Sequence, residues 1–101
     1  MKLRVAPPAR DDLREAAAWY ESRRSGLGLE FLAAVDSALQ RILKDPHRFG
    51  RLETLVRNED AYRLMLDRFP YAVIFEADDR EVRVLAIAHT RRRPGYWRRR
   101  R

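Results

Sequence analysis

Two amphipathic stretches joined by a break of only four residues constrain this chain more than any other feature of its sequence. Between residues 8 and 24, Ala9, Leu13, Ala16, Ala17 and Tyr20 recur at helical spacing and fall on one stripe. Between 29 and 44, Leu32, Val35, Leu39, Ile42 and Leu43 do the same. Ser25-Gly26-Leu27-Gly28 separates them, and glycine suits the left-handed backbone that follows a helix C-terminus. The spacing predicts helices over Pro8–Arg24 and Leu29–Lys44, the second stopped by Asp45-Pro46. In the first, Asp11, Asp12 and Glu15 lie early and Arg23 and Arg24 late, matching the helix dipole. So short a break makes the two an antiparallel hairpin, and each stripe then needs a surface to cover.

The rest of the chain supplies that surface. Lys2–Ala6 alternates polar and apolar, which predicts a short strand ended by Pro7-Pro8. His47–Asp60 is polar and weakly periodic, as expected of a loop or extended connection. Strands are predicted over Ala61–Leu66, Pro70–Ala77 and Glu81–His89, the last two flanking a compact turn at Asp78-Asp79-Arg80. In the last strand the alternation fades into a continuous apolar run, the mark of a central strand. The order is β-α-α-β-β-β, an α+β fold with the helical hairpin on one face of a small twisted, mainly antiparallel sheet.

A chain of 101 residues, 46% apolar and 10% aromatic, can bury one core and has no room for a second. With no cysteine, disulfides and thiolate metal sites are excluded, and the isolated His47 and His89 make no metal site. Neither metal nor other cofactor is expected. No apolar run is long enough to span a bilayer, and Met1-Lys2-Leu3-Arg4-Val5 does not open a signal peptide, so a cytoplasmic protein is expected. Charge is uneven. Seven arginines and no acid lie between Thr90 and Arg101, while the preceding residues balance, so the whole net charge of +7 sits at the C-terminal end. Such a block draws a polyanion or an acidic protein, or serves as a solvated tail.

Several short signatures occur in order along the chain. They are Ala9-Arg10-Asp11-Asp12-Leu13 with Trp19-Tyr20-Glu21, then Gly26-Leu27-Gly28 and Phe31-Leu32. Ile42 with Asp45-Pro46 and Phe49 follows, then Arg68-Phe69-Pro70-Tyr71. Last comes Val84-Leu85-Ala86-Ile87-Ala88-His89, leading to Arg91-Arg92 and Pro94-Gly95-Tyr96-Trp97. Together they resemble the RelE/ParE superfamily of bacterial toxins, also known as plasmid stabilisation proteins, over 1–97, with 98–101 a basic tail. The resemblance implies a toxin held inactive by a cognate antitoxin, whose acidic or amphipathic C-terminal segment docks a helix on the helical hairpin and adds a strand to the sheet. Lys2–Ala6 is the candidate edge. Trp19, Tyr20, Leu27 and Phe31 are the candidate antitoxin-binding groove, although Trp19 equally suits a cap on the core.

Two branches of that superfamily differ in target. The RelE-like branch is a ribosome-dependent mRNA endoribonuclease; the ParE-like branch inhibits DNA gyrase and has no established hydrolytic chemistry. RNA cleavage needs a base, an acid and cations around the phosphate. His89, Arg91, Tyr96 and Arg63 are the catalytic candidates, with Arg68 a further cation, while a histidine ending a strand also suits a structural role in the turn. RelE-like enzymes carry lysines on the first strand after the helices and an arginine after the aromatic of the next. Here Arg63 is the only basic residue of Ala61–Leu66, and Ala72 follows Tyr71. The ending His89-Thr90-Arg91-Arg92-Arg93-Pro94-Gly95-Tyr96-Trp97 resembles the ParE-like branch, which makes DNA gyrase the expected target and ribosome with mRNA the alternative. The target-facing candidates are Arg68, Arg91, Arg92, Arg93, Tyr96 and Trp97, although Tyr96 and Trp97 could also fold back over the sheet. On this reading, removing 94–101 should spare the fold. A non-toxic basic nucleic-acid-binding module is the remaining alternative.

Overall fold

The computed structural model describes residues 1–49, 61–92 and 96–100. Most of the predicted 47–60 connection, Arg93 and the final Arg101 lie outside the described residues, as do the side chains of Arg99 and Arg100. The elements are β1 (Lys2–Val5), α1 (Pro7–Arg23), α2 (Leu27–Lys44), β2 (Tyr62–Met65), β3 (Tyr71–Ala77) and β4 (Glu81–His89), followed by a short 3-10 turn, Tyr96–Arg100. They form one sheet in the order β1-β4-β3-β2. The β2–β3 and β3–β4 pairs are antiparallel and β1–β4 is parallel. The last strand therefore lies inside the sheet, as its apolar run predicted.

α1 starts at Pro7, one residue earlier than expected. Ala6 is extended (φ −61°, ψ 145°), as a residue before proline prefers, while its carbonyl already accepts from the Ala9 and Arg10 amides. α2 starts at Leu27, not Leu29, so both residues after Gly26 are helical. Gly26 takes φ +88°, the left-handed region that glycine enters without penalty. The Glu21 carboxylate of α1 accepts hydrogen bonds from the Gly26 and Gly28 amides at 3.0 Å and so caps the start of α2. Those two amides hold Glu21 below the usual carboxylate range.

The helices cover one face of the sheet. Phe31, Val35 and Ile42 of α2 meet Val73, Phe75, Val82, Val84 and Ile87 there, with Ala9 and Ala16 of α1. The opposite face has its own cover: Trp97, 2% exposed, lies with Ala61, Ala72, Ala86 and Ala88, flanked by Ile74 and Leu85. A bulge makes this possible. Phe75 pairs with Val84 and Ile74 with Ala86, leaving Leu85 as an extra residue on β4. Val84 faces the helices, whereas Leu85 and Ala86 both join the Trp97 cluster. The fading alternation of β4 thus has two causes, burial on both faces and a change of phase. Placing Trp97 in a core also corrects the expectation that 94–101 is separable, since removing it would uncover this face.

Asp78 does the work expected of a glycine in the β3–β4 turn. Its Oδ1 accepts from the Arg80 and Glu81 amides at 2.8 and 2.9 Å, and its Oδ2 accepts from Arg83, which also reaches Glu76 and Glu81. The two amides and then Arg83 lower the Asp78 pKa from 3.8 to about 2. A carboxyl more acidic in the folded than in the unfolded chain stabilises the fold above its unfolded value and loses that contribution as pH falls through the folded one. The stability difference between the wild type and Asp78→Asn should accordingly be largest above pH 4 and shrink steadily towards pH 2 in acid-titrated denaturant melts.

Candidate functional site

β1 is short, and that shapes a cleft on the surface. It pairs with β4 only over Glu81–Val84, and the chain then turns into α1 after the Ala6 amide donates to the Val84 carbonyl at 3.0 Å. Among the described residues no strand lies beside the outer edge of β4 beyond Val84. There the Ile87 amide donates to the Asp12 carboxylate of α1 at 3.0 Å, so a side chain stands in for the missing ladder. α1 and this edge form the walls of a cleft of about 540 Å³. α1 contributes Asp12, Glu15, Ala16, Trp19 and Tyr20, spaced so that all fall on one side of the helix. The facing wall is built from Pro70, Tyr71, Ile87 and His89, and from Arg92 and Tyr96 beyond β4.

The aromatic floor of this cleft is rigid. Tyr20 packs against Phe31, Phe69 and Tyr71 with ring centroids 5.2, 4.9 and 6.1 Å away, and Tyr71 stands edge-on to His89 at 5.0 Å. Burial first, and then the Asp12 charge, push the Tyr71 phenol above its usual range. Burial raises Tyr20 as well. Both hydroxyls therefore stay protonated and able to donate at neutral pH. The rim is more open. Trp19 is 52% exposed beneath the Arg23 guanidinium, 4.6 Å from its ring centroid, and Arg92 stacks 3.8 Å from the Tyr96 centroid.

His89 closes the turn after β4. Its Nδ1 accepts from the Arg91 amide at 3.0 Å and its carbonyl from the Arg92 amide at 2.9 Å. With Nδ1 engaged as an acceptor, the neutral ring carries its proton on Nε2. That contact ties the ring to the turn it closes.

The sequence candidates thus fall into separate places. Trp19 and Tyr20 share the cleft with His89, Arg92 and Tyr96. Arg91 is exposed beside it. Arg63 is exposed on β2 between Tyr62 and Leu64, which face the helices, so it belongs to the opposite side of the sheet. Arg68 reaches across to Glu30 of α2 at 2.8 Å, and Glu30 also holds Arg24 at 3.0 Å. Those two hydrogen bonds, Arg68 first, lower the Glu30 pKa. Trp97 is buried on the far face, so its indole offers no surface to a target. Phe31 is wholly buried and Leu27 partly so, which leaves Trp19 as the exposed member of the expected groove. Periodicity could not single out Asp12 and Glu15, because charged residues on a helix read as a solvated face. Leu29, within the expected Leu27–Phe31 stretch and 72% exposed on the first turn of α2, is its outward-facing residue.

Among the described residues no cluster of histidine and acidic side chains could hold a metal ion, and no helix is long and apolar enough to cross a membrane. No curated protein matches the chain. Among solved structures it is similar to one titled "Chromosomal ParDE TA system from P. aeruginosa", at 20% identity and a TM-score of 0.62, over 88% of this chain and 95% of that one. The family described as "ParE toxin of type II toxin-antitoxin system, parDE" matches residues 3–94, nearly the whole chain. On that match, carried from the first strand through the arginines beyond β4, the chain belongs to the ParE toxin family of type II toxin–antitoxin systems.

Proposed function

We propose that this protein arrests growth by inhibiting DNA gyrase and is neutralised by a cognate antitoxin. The observation that carries the choice of target is the packing of Trp97. Where a RelE-like ribonuclease would use an arginine to hold phosphate, this chain has Ala72, which lies with Trp97 in a buried cluster on the far face of the sheet. A face filled in this way has no place for a scissile phosphate, and the one base candidate, His89, has Nδ1 occupied. Family membership and the exposed Arg91 and Arg92 support a macromolecular, anionic or acidic target instead.

The antitoxin reading draws on the sheet edges. The outer side of β1 is an exposed strand edge carrying Lys2 and Arg4, suited to adding a strand from an acidic segment. The stretch of β4 beyond Val84 is not available in the same way, because Asp12 occupies the Ile87 amide. Trp19 and Leu29 supply exposed apolar surface on the hairpin for an amphipathic helix.

Induced alone in a bacterium, the protein should stop growth, and the product of an adjacent small acidic reading frame should restore it. With purified gyrase, ATP and supercoiled DNA it should accumulate cleaved linear DNA while leaving ribosome-bound message intact. Cuts at A-site codons with unaffected gyrase would replace this reading by the ribonuclease one. Normal growth at verified expression would remove both.

A further inference from the structure

The cleft between α1 and the end of β4 is chemically two-sided. Its carboxylates, Asp12 and Glu15, lie on α1, and its guanidinium, Arg92, on the opposite wall. Between them are four aromatic rings, of which Trp19 is half exposed. Asp12 is engaged with the Ile87 amide, but Glu15 sits exposed on the rim and forms no ion pair among the described residues. At about 540 Å³ the volume lies within the range of about 300–1,000 Å³ common for small-ligand sites.

Such a lining asks for a flat ligand with hydrogen-bond donors at one end and negative charge at the other. An aromatic rim stacks a planar base irrespective of its sequence context. A carboxylate accepts two parallel N–H bonds from a base edge that offers an imino and an amino group side by side, an arrangement found in guanine and absent from adenine. The Arg92 guanidinium, 3.8 Å from the Tyr96 ring centroid, is a planar donor of the kind that pairs with phosphate. His89, its Nδ1 accepting from the Arg91 amide, presents a ring on the same wall.

We propose that this cleft binds a guanine nucleotide, with the base stacked at Trp19, its N–H edge on Glu15 and its phosphate on Arg92. The inference uses only the cleft and does not depend on the toxin reading.

The two tryptophans make the test direct, because Trp19 lines the cleft and Trp97 is buried on the other side of the sheet. In the full-length protein, titration with GMP should shift the Trp19 indole N–H signal saturably and leave that of Trp97 in place. Losing one charge-assisted contact is worth roughly tenfold in affinity, so Glu15→Gln and Arg92→Ala should each weaken GMP binding by about that factor. Arg92→Ala should leave the weaker binding of guanosine unchanged. Both side chains are exposed, and an unaltered Trp97 signal reports that each variant is folded. Absence of saturation below about 10 mM GMP would overturn the proposal. So would equal binding of AMP, a response to inorganic phosphate alone, or tighter binding of agmatine, which would make the cleft a site for cations.

Discussion

Replacing Trp97 by alanine should remove about 3–5 kcal/mol of stability, the usual cost of emptying a buried aromatic site. A domain of this size has about 5–15 kcal/mol in total, so the variant should sit near its unfolding threshold at growth temperature. The loss is large because the indole does not pack into a deep interior that could collapse around the void. It covers a floor of Ala61, Ala72, Ala86 and Ala88, whose small side chains leave room for the indole. With the indole gone, that floor and Ile74 and Leu85 lose their cover. A melt by circular dichroism checks the expectation, at about 4–8 °C of midpoint per kcal/mol for a chain this short. A shift of only a few degrees would mean that the C-terminal segment is an accessory and not part of the core. Tryptophan emission gives a second readout, since the variant retains only the half-exposed Trp19 and should lose the blue-shifted component.

Gly28→Ala should also destabilise the fold, by about 1–3 kcal/mol, although the same change on an exposed helix face is stabilising. The sign reverses because the helices cross here with almost no separation. A methyl group at this position would lie 2.7 Å from the Ala17 carbonyl oxygen of α1, and 3.0 and 3.1 Å from Oε1 and Cβ of Glu21. The carbonyl belongs to a helical backbone and cannot turn aside, so the hairpin must open. Opening it pulls the Gly26 and Gly28 amides from the Glu21 carboxylate and leaves the start of α2 uncapped. Gly26→Ala is a useful companion. Nothing lies within 4 Å of its missing side chain, so any cost there comes from φ +88° alone. Denaturant melts of the two variants separate steric contact from backbone preference, and an unchanged midpoint for Gly28→Ala would mean that the crossing is looser than described.

The relation between the folded hairpin and the cleft follows from these contacts. Glu30 ties Arg68, at the β2–β3 turn, and Arg24, at the hairpin turn, to one carboxylate. Tyr20 and Phe31 bring the same two helices onto Phe69 and Tyr71. Tyr71 in turn braces His89. Tyr20, Tyr71 and His89, the inner part of the cleft lining, are therefore positioned by packing against the core.

Helix and strand positions were legible because they follow from local periodicity. A stripe such as Leu32, Val35, Leu39 and Ile42 can be buried only as a helix, and Glu81–His89 is too apolar on both sides for anything but an inner strand. Local periodicity also carried the hairpin and the α+β layering. It could not show that α2 begins at Leu27, because two glycines two residues apart look like a break until one of them proves to be a helix crossing. It could not assign Phe31, Trp97 or Arg63 to the right surface either. Phe31 sits in a motif that reads as a groove, yet its place on α2 directs it onto Phe69 and Tyr71.

What the sequence determined by itself is the set of elements and their family, since both reside in short-range pattern and in residue order along one chain. Which faces those elements cover was decided in three dimensions. One extra residue, Leu85, changes the phase of β4, and only the pairing with β3 reveals it. The parallel return of β1 stops at Val84, and a cleft lies where α1 crosses β4 beyond that point. Trp97 follows a basic segment that by composition belongs to solvent, but four alanines from two sheet strands and the residue before a third make a slot for it. The physical reason is the same in each case: burial depends on contacts between residues far apart in the chain, and no periodicity within one segment encodes its distant partner.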